Sequence, residues 1–185
     1  MDRLKSLVEN LLDVSRASAG RLIIERTEVN LSELINRVAN TFAAELVAAK
    51  CTLELRVDAS ILGQWDTVRI EQVLVNLLSN AIKFGAGKPV AITATIKDAH
   101  AHFEVRDQGI GIAKEDQARI FGRFERAATI KNFAGLGLGL YITSQIIAVH
   151  GGNIRVESEA GKGAYFIVDL PLVPPTAALP AHEGS

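Results

Sequence analysis

Two pairs of strand-like segments lie on either side of a glycine-rich stretch, residues 107–139, and this order limits the folds open to the chain. Residues 90–96 and 102–106 have the composition and alternation of strands, and so do residues 154–157 and 165–170. Such patterns are typical of hairpins with one buried face. Helical periodicity before each pair predicts an α+β fold in which helices cover one face of a mixed sheet.

Further elements precede the first strand pair. Residues 22–29 are predicted to be extended, and either Asn30 or Ser32 can cap the helix that follows. The apolar side chains of that helix are Leu34, Val38, Phe42 and Leu46. A strand is predicted over residues 51–57, with an apolar face formed by Cys51, Leu53, Leu55 and Val57. A long helix is predicted from about residue 68 to residue 84.

The charge balance excludes one broad class of function. With 20 Lys and Arg against 21 Asp and Glu, the chain lacks the excess positive charge that nucleic acids select, so no nucleic-acid partner is expected. The one cysteine, Cys51, suits a reducing compartment. Residues 134–154 are interrupted by glycines and polar side chains and do not predict a membrane span. A cytoplasmic protein is expected, although a longer parent could be anchored in the inner membrane.

The two ends of the chain differ from its middle. Leu4, Leu7, Leu11 and Val14 recur every three or four residues, which predicts a short amphipathic helix. Its stripe packs either on its own domain or, in a homodimer, through residues 4–19. Prolines are concentrated at the carboxyl end. We therefore expect a helical segment at residues 1–20, one domain at 21–172 and a disordered tail at 173–185.

The long helix carries an unusual polar face. On a helical wheel one arc is polar: Arg69, Gln72, Asn76, Ser79, Asn80 and Lys83. Each mid-helix asparagine costs about 0.6 kcal/mol against alanine, so the residues of a plain solvent face are usually better helix formers. An amide oxygen can coordinate Mg²⁺, and a lysine can meet phosphate as a point charge. The face is therefore either a ligand surface or an ordinary polar face.

The next motif follows the strand at residues 102–106. Asp107 precedes Gly109 and Gly111, and two closely spaced glycines permit positive φ and close backbone approach. A carboxylate there could accept a hydrogen bond from an exocyclic amine such as that of adenine. The alternative is a strand-ending turn in which Asp107 caps its own loop.

A third motif, GLGLGLYI at residues 135–142, precedes an apolar helix. Glycines at a helix amino terminus leave backbone N–H groups free to bind phosphate. The motif lacks the Lys-Ser/Thr of a P-loop and the third glycine of a dinucleotide fingerprint. Together, the three motifs provide for the base, the phosphates and the magnesium of a nucleotide within about 65 residues.

These segments resemble the N, G1, F and G2 boxes of the catalytic and ATP-binding domain of sensor histidine kinases, a group related to gyrase, Hsp90 and MutL. The matching segments are EQVLVNLLSNAIKF, DQGIGI, RIFGRFER and GLGLGLYI, and the similarity spans about residues 22–172. The resemblance implies a two-layer α/β sandwich of the Bergerat type, in which a mixed sheet packs against three helices. ATP and Mg²⁺ would bind between the layers under a mobile lid.

The resemblance also implies roles for individual residues. Asn80 would be the Mg²⁺ ligand, Asn76 would support it, Lys83 would contact phosphate, and these three would be the catalytic residues. Asp107 would hold the adenine amine. Further nucleotide contacts would come from Gly109, Gly111, Ile112, Phe121, Phe124, Gly135, Leu136, Gly137, Leu138 and Gly139. The two phenylalanines would anchor a lid at residues 126–134, or would be ordinary core residues.

The implied reaction is transfer of the ATP γ-phosphoryl group to a histidine, followed by relay to the receiver domain of a response regulator. The amino-terminal segment resembles only the second helix of the family's phosphoacceptor hairpin, and the first histidine here is His100. His100 and His102 share one strand face and are expected to be ordinary strand residues. Autophosphorylation is therefore not expected, and the acceptor would lie on the parent kinase or another chain. The alternatives are a stand-alone ATP-binding module and a serine kinase of the anti-sigma type.

Overall fold

The computed structural model describes residues 22–85, 87–125 and 137–174. In chain order they form β1 (Thr27–Asn30), α1 (Leu31–Thr41), α2 (Ala43–Ala48), β2 (Leu53–Val57), β3 (Leu62–Trp65), α3 (Thr67–Phe84), β4 (Val90–Lys97), β5 (His100–Arg106), α4 (Lys114–Gln117), α5 (Gly139–Val149), β6 (Asn153–Ser158) and β7 (Ala164–Pro171). The predicted helix at residues 1–20, the dimer contact at 4–19, the lid at 126–134 and tail residues 175–185 lie outside the described residues.

The main sheet has five strands in the order β2-β4-β5-β7-β6. β2 runs parallel to β4, and the other neighbours are antiparallel, so the sheet is mixed as predicted. Both predicted hairpins, β4–β5 and β6–β7, are confirmed. On β5, Phe103 lies opposite Ala94 of β4 and Val168 of β7, and all three side chains are buried.

One hydrophobic core lies between this sheet and the three longest described helices, α1, α3 and α5. On β5 the side chains of Ala101, Phe103 and Val105 are buried, whereas His102 and Glu104 lie on the opposite face. Alternation along the strand therefore separates a core face from a polar outer face. The predicted α+β sandwich is confirmed.

The long helix α3 begins and ends for local reasons. Asp66 caps it, because its carboxylate accepts a hydrogen bond from the Arg69 N–H (3.1 Å). The buried side chains are Ile70, Val73, Leu74, Leu77, Leu78, Ala81 and Ile82. Each large apolar side chain in this stripe contributes roughly 1.5–3 kcal/mol by leaving water. Because the stripe is buried, the opposite, polar face of α3 is left partly exposed at the surface.

Near the amino terminus, one sequence prediction needs correction and one open alternative is decided. The helix predicted through Phe42 and Leu46 is broken, because α1 ends at Thr41 and α2 begins at Ala43. The bend at Phe42 (φ −87°, ψ 1°) allows both Phe42 and Leu46 to be buried. Asn30 caps α1, whereas the Ser32 hydroxyl bonds Asp58 and Ile61 of another loop.

The strand β3 was not predicted. It pairs with β1 in a separate two-stranded antiparallel sheet. Trp65 at its end is fully buried, and its indole N–H donates to the carbonyl of Pro171 (2.8 Å). Gly63 lies against this ring, where a Cβ would be 2.3 Å from the indole. The packing of one tryptophan therefore sets this strand, and four residues are too few for a clear alternating pattern.

The edge strand β2 follows its prediction only in part. Leu53 and Val57 pack on the core and Cys51 is buried, but Leu55 is 38% exposed. Edge strands have one neighbour instead of two, so their side chains are less well covered. No described helix is both long enough and apolar enough to cross a membrane.

Candidate nucleotide-binding site

Two of the predicted segments lie against the third, the helix α3. The loop at residues 107–112 lies against the carboxyl end of α3, where the Ile110 N–H donates to the carbonyl of Phe84 (3.3 Å). The beginning of α5 lies against the middle of α3, because a Cβ on Gly139 would be 2.2 Å from Oδ1 of Asn76. The polar face of α3 is therefore flanked by the loop and by the amino terminus of α5.

Asp107 is 4% exposed and is held by the main chain. Its Oδ1 accepts a hydrogen bond from the Gly109 N–H (2.8 Å), and its own N–H donates to the carbonyl of Ala164 on β7 (3.0 Å). Burial raises the pKa of the Asp107 carboxyl, although hydrogen bonds from the backbone of Gly109 and Ala164 act in the opposite direction. A carboxylate has about four acceptor sites, so these bonds leave capacity for a ligand donor.

The two glycines of this loop are required by neighbouring protein backbone. A Cβ on Gly109 would be 1.8 Å from the carbonyl oxygen of Phe84, and one on Gly111 would be 2.0 Å from that of Glu159. Gly111 also has a positive φ of 65°. The described backbone contacts of these glycines are therefore with α3 and with the turn after β6. The close backbone approach to a ligand stays a prediction.

Asn76 and Asn80 lie one turn apart on the half-exposed face of α3. The Asn76 amide donates to the hydroxyl of Thr143 on α5 (2.9 Å), and Thr143 is 1% exposed. Lys83 is exposed, with its ammonium 4.9 Å from the ring centre of Phe84. Sequence reasoning missed Thr143, because it is a polar residue on the buried side of an apolar helix.

The two phenylalanines predicted to anchor a lid differ in environment. Phe121 packs edge to face against Phe166, with ring centres 6.4 Å apart. Phe124 is 59% exposed and has a positive φ of 59°. The alternative of ordinary core residues is therefore wrong for Phe124, and the lid contact stays a prediction for both.

Only part of the third motif lies within the described residues. Gly135 and Leu136 lie outside them, whereas Gly137 has a positive φ of 70° and Leu138 is buried. Among the described residues, no side chain caps the amino terminus of α5. The first-turn N–H groups of a helix without such a cap are suitable donors to an anion.

The donor set fits a magnesium nucleotide better than a metal bound by protein alone. Within residues 22–85, 87–125 and 137–174, no group of three or more His, Cys, Asp or Glu side chains could hold a metal ion. The amide oxygen of Asn80 is a suitable hard ligand, and Mg²⁺ usually takes its remaining ligands from phosphate and water. Together with Lys83 and the start of α5, Asn80 therefore fits a cation that arrives with a polyphosphate.

Two of the described histidines, His102 and His150, are bonded to other parts of the structure. His102 lies on the outer face of the sheet between Asp169 (2.6 Å) and Glu104 (3.1 Å), and these hydrogen bonds raise its pKa despite partial burial. His150 is buried, and its Nε2 accepts from the backbone N–H of Asp66 (3.0 Å). His102 is a strand residue, as predicted, but its imidazole is bonded to two carboxylates.

The chain is similar to several known proteins. Residues 65–174 match the family described as histidine kinase-, DNA gyrase B-, and HSP90-like ATPase. The circadian input-output histidine kinase CikA of Synechococcus elongatus is 33% identical over 192 residues, which cover 99% of this chain and 26% of CikA. The chain thus spans about a quarter of that relative.

Solved structures are similar as well. Full-length ShkA in complex with AMPPNP matches with a TM-score of 0.83 and 32% identity, covering 96% of this chain and 38% of ShkA. Histidine kinase ThkA in complex with the response regulator protein TrrA matches with a TM-score of 0.74 and 27% identity, covering 94% of this chain and 50% of that chain. The chain belongs to the histidine kinase-, DNA gyrase B-, and HSP90-like ATPase family.

Proposed function

We propose that the chain is the ATP-binding catalytic domain of a two-component sensor histidine kinase, which transfers the γ-phosphoryl group of ATP to a histidine outside residues 1–185. The convergence of the α3 amide face, the buried Asp107 carboxylate and the start of α5 carries this proposal. The complex of ShkA with AMPPNP supports a nucleotide as the ligand.

Asp107 recognises the base in this proposal. Its carboxylate is fixed by the main chain of Gly109 and retains free acceptor capacity, so it can accept a hydrogen bond from an exocyclic amine. Because the group is largely removed from water, such a bond contributes about 1.5–3 kcal/mol. Gly109 and Gly111 act by holding the loop close to α3 and to the turn after β6.

The phosphates would lie between α3 and α5. Asn80 would hold the Mg²⁺, which when bound neutralises charge on the phosphates, and Lys83 would add a positive charge beside them. Gly137, Leu138 and Gly139 would contribute backbone donors at the start of α5, and Gly135 and Leu136 would extend this set. Positioning and charge neutralisation are what phosphoryl transfer chiefly requires.

Asn76 favours a histidine acceptor over water. Its amide cannot remove a proton from water, whereas a neutral imidazole already carries a lone pair and needs no strong base. Its contact with Thr143 gives it a second role in joining α3 to α5. We therefore expect ATP hydrolysis to be slow and the phosphoryl group to be transferred to an imidazole. The receiver domain of a response regulator would accept the group next, as the ThkA complex with TrrA supports.

Calorimetry with ATP and ADP, with and without Mg²⁺, tests the binding site. Asp107→Asn should lower the affinity for ADP, measured without magnesium, by at least about tenfold, because a charged acceptor is lost. Asn80→Ala should remove only the gain in ATP affinity that Mg²⁺ provides. Asp58→Asn is the matched control, since its exposed carboxylate accepts a hydrogen bond from the Thr95 hydroxyl on β4. Unchanged affinity in Asp107→Asn would refute the assignment.

Transfer itself is tested by adding a helical hairpin that carries the phosphoacceptor histidine, together with γ-labelled ATP. We expect acid-labile label on the histidine, and its loss with Asn80→Ala. Acid-stable label on serine would favour the serine kinase of the anti-sigma type. Binding without any transfer would favour the stand-alone ATP-binding module.

A further inference from the structure

The turn between β6 and β7, residues 159–163, is fitted closely to the loop at residues 107–112. The Gly161 N–H donates to the carbonyl of Ile110 (2.7 Å). A Cβ on Gly163 would be 2.1 Å from the backbone oxygen of Asp107, and one on Gly111 would be 2.0 Å from that of Glu159. The two backbones therefore meet with no space for a methyl group between them.

One hydroxyl joins these two segments. Ser158, the last residue of β6, accepts a hydrogen bond from the Ile112 N–H (2.8 Å) and donates to the carbonyl of Gly163 (2.6 Å). It therefore holds the end of the loop and the end of the turn at a fixed separation. Gly163 in turn lies against the main chain of Asp107 and Gln108, so this hydroxyl is linked to the backbone of Asp107 through a single intermediate residue.

The side chain of Gln117 on α4 completes the arrangement. Its Nε2 donates to the carbonyl of Ile112 (3.1 Å) and to the carbonyl of Ser158 (2.7 Å). Both main-chain groups of Ile112 are thus bonded by side chains, one from β6 and one from α4. Neither bond belongs to a helix or a sheet ladder, so neither is needed to form the strands themselves.

We propose that Ser158, supported by Gln117, is a positioning residue that keeps the 107–112 loop, and with it the Asp107 carboxylate, in the conformation that accepts a nucleotide base. This inference rests on the proposed function. A loop with glycines at 109 and 111 has high conformational entropy when it is released. A binding-competent conformation that is only partly populated lowers affinity by the same fraction.

The chain contains a matched control for this role. The Ser32 hydroxyl also accepts from a backbone N–H, that of Ile61 (3.1 Å), and donates to a carbonyl, that of Asp58 (2.8 Å). These partners belong to the segment between β2 and β3, away from the 107–112 loop. Replacement of Ser32 by alanine therefore removes the same two kinds of bond without touching the proposed base site.

The test is calorimetric ADP binding without Mg²⁺ on the whole chain, together with hydrogen exchange at the Ile112 amide. Ser158→Ala should lower the affinity for ADP about five- to tenfold and speed hydrogen exchange at the Ile112 amide, since two hydrogen bonds that order the loop are lost. Ser158→Thr, which keeps a hydroxyl, should restore both. Ser32→Ala should lower stability but leave ADP affinity unchanged. Gln117→Leu provides a second route if Ser158→Ala does not fold.

The outcomes separate the inference from the proposed function. If the unmodified chain binds ADP and Ser158→Ala or Gln117→Leu binds it equally well, the positioning role is wrong and the nucleotide site stands. An equal loss of ADP affinity in Ser158→Ala and Ser32→Ala would also overturn the positioning role, because a general loss of stability would then explain the weaker binding. If the unmodified chain binds neither ADP nor ATP, the proposed function fails and the inference fails with it.

Discussion

Replacement of Gly163 by alanine tests how closely the turn after β6 is fitted to Asp107. Gly161 in the same turn is the control, because the two residues have nearly the same φ, 83° at Gly161 and 84° at Gly163. Their surroundings differ. A Cβ on Gly161 meets nothing within 4 Å, whereas one on Gly163 would be 2.1 Å from the carbonyl oxygen of Asp107.

The difference in cost follows from these distances. Each alanine lowers the free energy of unfolding by about 1 kcal/mol, because it must adopt a left-handed backbone conformation. At Gly163 the new methyl would also lie about 1.3 Å closer to the Asp107 carbonyl oxygen than the 3.4 Å at which ordinary contacts begin, and a backbone atom cannot easily move away. Overpacking of this kind costs about 1–3 kcal/mol. We expect Gly163→Ala to be destabilised by about 2–4 kcal/mol and Gly161→Ala by about 1 kcal/mol.

Urea unfolding measures the two free energies, with the fluorescence of Trp65 as the signal. Trp65 is the one tryptophan of the chain and is fully buried, so its emission should report loss of the core. ADP affinity should fall with Gly163→Ala, because Asp107 must move, and should be unchanged with Gly161→Ala. Equal free energies of unfolding for the two variants would refute the reasoning.

Two further predictions concern buried polar groups. Burial lowers the pKa of His150 in the folded chain, and Arg26 lowers it while Asp66 and the Ile146 carbonyl raise it. As the pH falls below about 6.5 the unfolded chain therefore takes up a proton first, and the free energy of unfolding should decrease. Denaturant titrations at pH 7.5 and 5.5 should show a smaller decrease for His150→Gln, and equal decreases would contradict this. Thr143→Val should cost about 1–2 kcal/mol, because Asn76 on α3 loses its acceptor, whereas Thr143→Ser should restore it. Thermal unfolding of the three proteins checks the second prediction, and identical midpoints would oppose it.

Several elements could be predicted because their signals are local. The apolar stripe of α3 and the alternation along β5 follow from the burial of one face, and the structure confirms both. Asp107 could be singled out for the same reason, because a carboxylate followed by glycines at 109 and 111 is visible within five residues. Helix and strand periods are properties of neighbouring residues, so a single sequence contains them.

Other features are not visible in any short segment. The break at Phe42 and the strand β3 depend on which apolar side chains reach the core, and β3 forms around the burial of Trp65. Local propensity is weak for such short elements, and tertiary packing overrides it. The glycines of the loop likewise contact protein backbone that lies far away in the sequence.

By itself, the sequence determined the main elements, the polar face of α3 and the motifs that flank it. The tertiary structure alone decided which side chains support them: Thr143 bonds Asn76 from 67 residues away, and Ser158 bonds Ile112 from 46 residues away. The physical reason is that hydrogen bonds between elements depend on how the sheet and helices pack. Only the folded chain brings these groups within 3 Å of one another.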